Sequence, residues 1–65
     1  MVEYKVSLKA ARVNANMLQE DVAAELGVSK ESIANWEKGK RSPKSAVLVR
    51  LCQIYKVPLD SIALP

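Results

Sequence analysis

Histidine is absent from this 65-residue chain and cysteine occurs once, at Cys52, so neither an internal disulfide nor a Cys/His metal cluster can be built from it. Glycine occurs twice and proline three times, too few for a disordered tract, and 49% of the residues are hydrophobic, which argues for a packed globule. No apolar run approaches the ~20 residues that cross a bilayer, and the opening MVEYKVSLK lacks an apolar leader core. A cytoplasmic protein with no membrane partner is expected. With no histidine, no metal cluster, no Gly-rich phosphate loop and no nucleophile beside a base, acid/base catalysis lacks its participants. The chain is therefore not expected to be an enzyme, and no metal or other cofactor is expected. What remains is one small domain, which buries only ~60% of its unfolded surface and must use its core economically.

The net charge of +3 is modest, but its distribution is uneven. Between residues 30 and 44, Lys30, Lys38, Lys40, Arg41 and Lys44 face only Glu31 and Glu37, whereas the rest of the chain balances five cations with five carboxylates. The whole excess lies in one short segment. A solvated basic loop is one reading of it, and an anionic partner is the other.

Punctuation and periodicity predict an all-α chain. Ser7 is positioned to cap a first helix to about Asn14, with Leu8, Ala11, Arg12 and Ala15 on its inner stripe. After a turn at Asn14-Ala15-Asn16, a second helix is predicted from Gln19 to Leu26, with Val22, Ala23 and Leu26 inward and Glu20 and Asp21 in the dipole-favoured first turn. Gly27 stops it, Val28 pins the turn, and Ser29 caps a third helix that carries Ile33 and Trp36 inward and stops at Gly39. A fourth is predicted to begin with Ser42 as cap and Pro43 at its first position, presenting Leu48, Leu51, Cys52 and Tyr55 to the core. Leu59, Ile62 and Ala63 follow as a last short helix. Residues 1–6 are assigned to an N-terminal arm and 7–65 to the domain, because the alternating Val2, Tyr4 and Val6 would form a lone strand without a partner.

The segment QEDVAAELGVSKESIANWEK, residues 19–38, meets the demands of two helices that cross steeply across a short turn. Ala23 is small where the helices approach, Gly27 makes the turn, and Val22, Leu26, Val28, Ile33 and Trp36 fill the wedge. Spacing places Lys30, Glu31, Ala34, Asn35 and Lys38 on the opposite, polar side of the third helix. In a major groove, Lys can donate to guanine, Asn can pair with adenine and Glu can accept from cytosine, so Lys30, Glu31 and Asn35 are the candidate base readers, with Ser32 at shorter range. Glu31 serves the helix dipole equally well. Cys52 reads as a small core residue in preference to a redox sensor, and Trp36 as a core anchor in preference to a base-stacking platform.

The stretches LQEDVA, LGVS, IANWEKG and VPLDSI, and the chain from about Val6 to Leu64, resemble the helix-turn-helix DNA-binding domains of the Cro and phage-repressor type, the lambda-repressor-like XRE family. The resemblance implies a compact bundle of about five short helices with the third in the major groove, positions 30, 31, 32 and 35 supplying base contacts, and Gln19 bonding a phosphate. Lys38, Lys40, Arg41 and Lys44 would then neutralise phosphates. It also suggests that Arg12 pairs with Glu37 as a partly buried ion pair, the alternative being an Arg12 contact to phosphate. Leu18 departs from the family's usual hydroxyl cap at the second helix. The expected activity is sequence-specific regulation of transcription, with repression favoured, on a palindromic site in double-stranded DNA. A homodimer assembled through Leu59, Ile62 and Leu64 would double the contacts of one unit. A protein-interaction module on the same fold, antitoxin-like or polymerase-associated, is the alternative from a different class.

Overall fold

The Ser7 hydroxyl accepts the Ala10 N–H at 3.0 Å and so sets the start of α1, Leu8–Asn14. It sits in β1, Val6–Ser7, the first element of the computed structural model, which describes residues 5–65. α2 spans Gln19–Leu26, α3 Lys30–Lys38 and α4 Ser45–Tyr55; a 3₁₀ turn at Leu59–Ser61 leads into β2, Ile62–Ala63.

Each of the first three helices ends where its local chemistry requires. Asn16, at φ 58°, takes the left-handed conformation after α1, a position that Asn tolerates better than most residues. Gly27, at φ 71°, ends α2, and Ser29 immediately recaps the chain by accepting the Ser32 N–H at 3.2 Å. Gly39, at φ 81°, ends α3. The turn between α2 and α3 is therefore short and sharply bent, and these two helices make the most extensive helix–helix contact in the molecule.

Leu8, Ala11, Val22, Ala23, Ile33, Leu51, Cys52, Tyr55 and Ile62 form the buried core, drawn from every helix and from β2. Trp36 packs on this core from its edge and stays half-buried.

Three features differ from the sequence-based expectations, all of them near the chain ends or in the loop before α4. The arm is one: Val6 and Ser7 pair in parallel with Ile62 and Ala63, so the missing strand partner lies at the other end of the chain. Residues 1–4 of that arm lie outside the described residues. The expected last helix is the second: after the single 3₁₀ turn the chain extends at Ile62 to meet β1, because backbone pairing with Val6 satisfies groups that a short terminal helix would leave open. The start of α4 is the third. Pro43 is buried rather than placed in the helix, Lys44 occupies the cap position without a side-chain bond, and Ser42 caps nothing. Burial takes Pro43 out of the first helical position, and the helix begins two residues later at Ser45.

Candidate nucleic-acid interface

Glu37 organises the interface from behind. Its Oε2 accepts from Arg12 Nε at 2.7 Å, and its Oε1 accepts from Arg12 Nη2 at 3.3 Å and from Gln19 Nε2 at 3.0 Å. The two charged side chains are 10% and 5% exposed, so the fork is shielded from solvent competition. Arg12 Nη1 adds a bond to the Met17 carbonyl at 3.0 Å. The Glu37 carboxylate thus joins α1, α2 and α3, and Arg12 ties in the turn that follows α1. Hydrogen bonding to Glu37 raises the Arg12 pKa; burial opposes this, and the charge of Glu37 reinforces it. The guanidinium is a fixed cation.

Of the residues assigned to the site from sequence, Lys30 and Glu31 are exposed in the first turn of α3. Ser32 and Asn35 are half-buried on the same helix. The Ser32 hydroxyl lies 3.0 Å from the Ser29 hydroxyl, and this engagement makes it less available than its neighbours. The Asn35 carbonyl accepts from Lys40 N–H at 3.0 Å and from Arg41 N–H at 3.4 Å, so the end of α3 is tied to the basic loop that follows. Lys38, at the end of α3, and Lys40, Arg41 and Lys44, in that loop, are exposed. These cations close α3 and follow it in the chain, and they make this region attractive to an anionic polymer.

Gln19 stands at the first position of α2 with its amide committed in part to Glu37. Its second amide hydrogen and its carbonyl have no protein partner among the described residues. The tie to Glu37 could not be seen in the sequence, because it depends on how α2 packs on α3. The Leu18 position is also better satisfied than its side chain suggests. Leu18 has no acceptor, but its N–H donates to the Asp21 carboxylate at 2.8 Å, which supplies the reciprocal half of a capping box. The Leu-x-x-Asp spacing was the available signal.

Of the proposed dimer residues, Leu59 is 49% and Leu64 42% exposed, but Ile62 is 8% exposed and belongs to the core. Ile62 is therefore removed from that surface: pairing with Val6 turns its side chain inward. Cys52 is buried, and burial pushes its thiol pKa up, away from the reactive thiolate. No group of potential metal ligands occurs among the described residues, and none of the described helices is long and apolar enough to cross a membrane.

A short turn between two closely packed helices, the second capped at both ends and exposing a polar face beside a basic loop, defines a helix-turn-helix domain. The helix-turn-helix family model matches residues 8–62, and the chain belongs to this family, in its Cro and phage-repressor (XRE) branch of DNA-binding transcription regulators. It is 36% identical over 58 residues to an uncharacterized HTH-type transcriptional regulator, MJ0272, of Methanocaldococcus jannaschii, a match covering 89% of this chain and 88% of that protein. It is 34% identical to the cryptic phage CTXphi transcriptional repressor RstR of Vibrio cholerae, over 91% of this chain and 53% of the repressor. The HTH-type transcriptional activator BcrR of Enterococcus faecalis is 31% identical over 94% of this chain, which spans only 30% of the activator. No solved structure matches the chain with significance.

Proposed function

We propose that this domain is a sequence-specific transcriptional regulator that binds a palindromic operator as a homodimer in the cytoplasm, with α3 in the major groove. The observation that carries the reading is the division of α3. Ile33, Trp36 and Glu37 hold its inner side to the core and to Arg12, leaving Lys30, Glu31 and Asn35 outward on a rigid element beside four exposed cations. In this reading Lys30 and Asn35 read bases, and Glu31 accepts from cytosine or favours the helix dipole. Lys38, Lys40, Arg41 and Lys44 hold phosphates, with Gln19 contributing its unshared amide hydrogen. Leu59 and Leu64 form part of the dimer surface. Repression is the favoured direction, as the name of the Vibrio cholerae relative has it, although the Enterococcus relative is named an activator.

Salt titration of duplex binding tests the electrostatic half of this reading. The logarithm of affinity is expected to fall linearly with the logarithm of salt concentration, by about 0.9 per phosphate contacted, and Lys40→Gln is expected to reduce the slope by about that amount. A binding constant indifferent to salt would assign the basic segment to a protein partner.

A further inference from the structure

Trp36 has a face that neither the core nor the proposed base reading uses. It forms part of the wall of an open cleft of about 270 Å³ between α3, the loop after it and the first turns of α4. Val28 and Val47 supply the other apolar walls, Arg41, Ser42 and Lys44 supply cations and a hydroxyl at the exposed side, and Ser32, a candidate base reader, completes the lining. No carboxylate lines it among the described residues. The volume is just below the range, from about 300 Å³ upwards, of pockets that enclose drug-sized molecules, so only a small ligand fits.

An indole and two valines favour the flat, apolar body of a ligand, while two adjacent cations favour an anion attached to it. A bare anion would gain from Arg41 and Lys44 but leave the apolar wall wet, and an uncharged ring would do the reverse. We infer that the cleft is a binding site for a small planar organic phosphate, a nucleotide-like anion whose ring lies against the Trp36, Val28 and Val47 wall and whose phosphate meets Arg41 and Lys44. Because the same two cations are assigned to operator phosphates, occupation of the cleft weakens operator binding. That competition rests on the function proposed above, but binding to the cleft does not. The phosphate has two possible sources, a free nucleotide and a nucleotide of the DNA itself, and they are separable by experiment.

Trp36 is the sole tryptophan, so its fluorescence reports the cleft directly. The protein is titrated, without DNA, with adenosine monophosphate, with adenosine and with inorganic phosphate. A saturable change in emission is expected with the monophosphate, at concentrations about tenfold lower than either fragment requires. Val47→Glu places a carboxylate in the cleft at a position early in α4 where the helix dipole tolerates it, and is expected to weaken the monophosphate about tenfold. Lys44→Gln, at an exposed position, is expected to weaken it about threefold and carries the test if Val47→Glu does not fold. Duplex binding repeated with saturating monophosphate is expected to show a reduced affinity. The inference is overturned if the monophosphate gives no saturable change, if inorganic phosphate alone matches it, or if neither variant alters its binding. A duplex that shifts Trp36 emission where the monophosphate does not assigns the cleft to DNA; the inference then fails while the regulator reading stands.

Discussion

Three helices of this domain end on a residue in the left-handed region, and the three ends are not equivalent. α2 and α3 stop at Gly27 and Gly39, whereas α4 stops at Lys56, at φ 58° and ψ 45°, with a Cβ that this conformation disfavours. The glycine ends belong to the two crossing helices, whose geometry the interface depends on. There local preference and tertiary demand coincide. At Lys56 they conflict, and the tertiary demand prevails: the Val57 N–H must reach the Cys52 carbonyl, at 3.0 Å, to turn the chain back so that Ile62 can enter the core and pair with Val6. The crossing helices are thus fixed by their own residues, and the C-terminal segment is held largely by what it packs against.

The largest effect expected from disturbing this contrast is at the polar clamp behind the crossing helices. Arg12→Met leaves the shielded Glu37 carboxylate without its cation and is expected to cost about 3–5 kcal/mol in denaturant unfolding. The double change Arg12→Met with Glu37→Leu should recover much of that loss. If the single change costs no more than the double, the clamp is not what fixes α1 to α3.

The two glycine ends should also separate from each other. A Cβ built on Gly27 meets nothing within 4 Å, so Gly27→Ala is expected to cost only the conformational strain, about 1 kcal/mol. On Gly39 the same atom would lie 2.8 Å from the Pro65 Cβ, so Gly39→Ala must also displace the C-terminal residue, and about 2 kcal/mol is expected. Equal losses would show that Pro65 does not rest on the end of α3.

Tyr55, at the end of α4, gives a pH test of the packing on the other side of the contrast. Burial pushes its phenol up to about 12, with the Glu37 charge adding to the rise and Arg12 opposing it. In the unfolded chain the phenol ionises near 10, so the folded state holds the proton more tightly. The contribution to stability is fully present below about pH 10 and is lost as pH rises from there through 12. Relative to Tyr55→Phe, the native chain should lose about 1–2 kcal/mol across that window, a figure reduced from the full shift to allow for solvent screening. Parallel pH curves would place the phenol in water.

The smallest effect has the opposite sign. Lys56→Gly removes the steric strain at the end of α4 but adds backbone freedom to the unfolded chain, for a net gain of about 0.5 kcal/mol. A loss of stability would mean that the Lys56 side chain contributes packing that outweighs its strain.

The same contrast explains which parts of the molecule were legible in the sequence. Ser7, Ser29, Gly27 and Gly39 act on backbone groups within a few residues, and each helix boundary they predicted is where the structure has it. The polar side of α3 followed from helical spacing alone. Ser42-Pro43 looks like a helix start, yet Pro43 is taken by the core, and no local rule says which use will win. The β1–β2 pair joins opposite ends of the chain, so neither two-residue strand carries a signal of the other, and Ile62, expected on a dimer surface, is instead turned into the core. In the candidate interface, the exposure of the charged residues was readable, whereas Ser32 and Asn35 are half-buried. The Gln19–Glu37 bond was not readable, because it exists only once α2 and α3 have crossed.

The central claim is that α3 reads bases, and selection of bound sites from a random duplex library tests it most directly. The native domain should enrich a palindrome with half-sites about one helical turn, ~34 Å, apart. Lys30→Ala and Asn35→Ala should each relax particular positions within each half-site by about 1–3 kcal/mol while leaving the others unchanged. Enrichment of no sequence, or variants that weaken binding uniformly without relaxing any position, would contradict the claim and leave the exposed side of α3 as a surface for a protein partner.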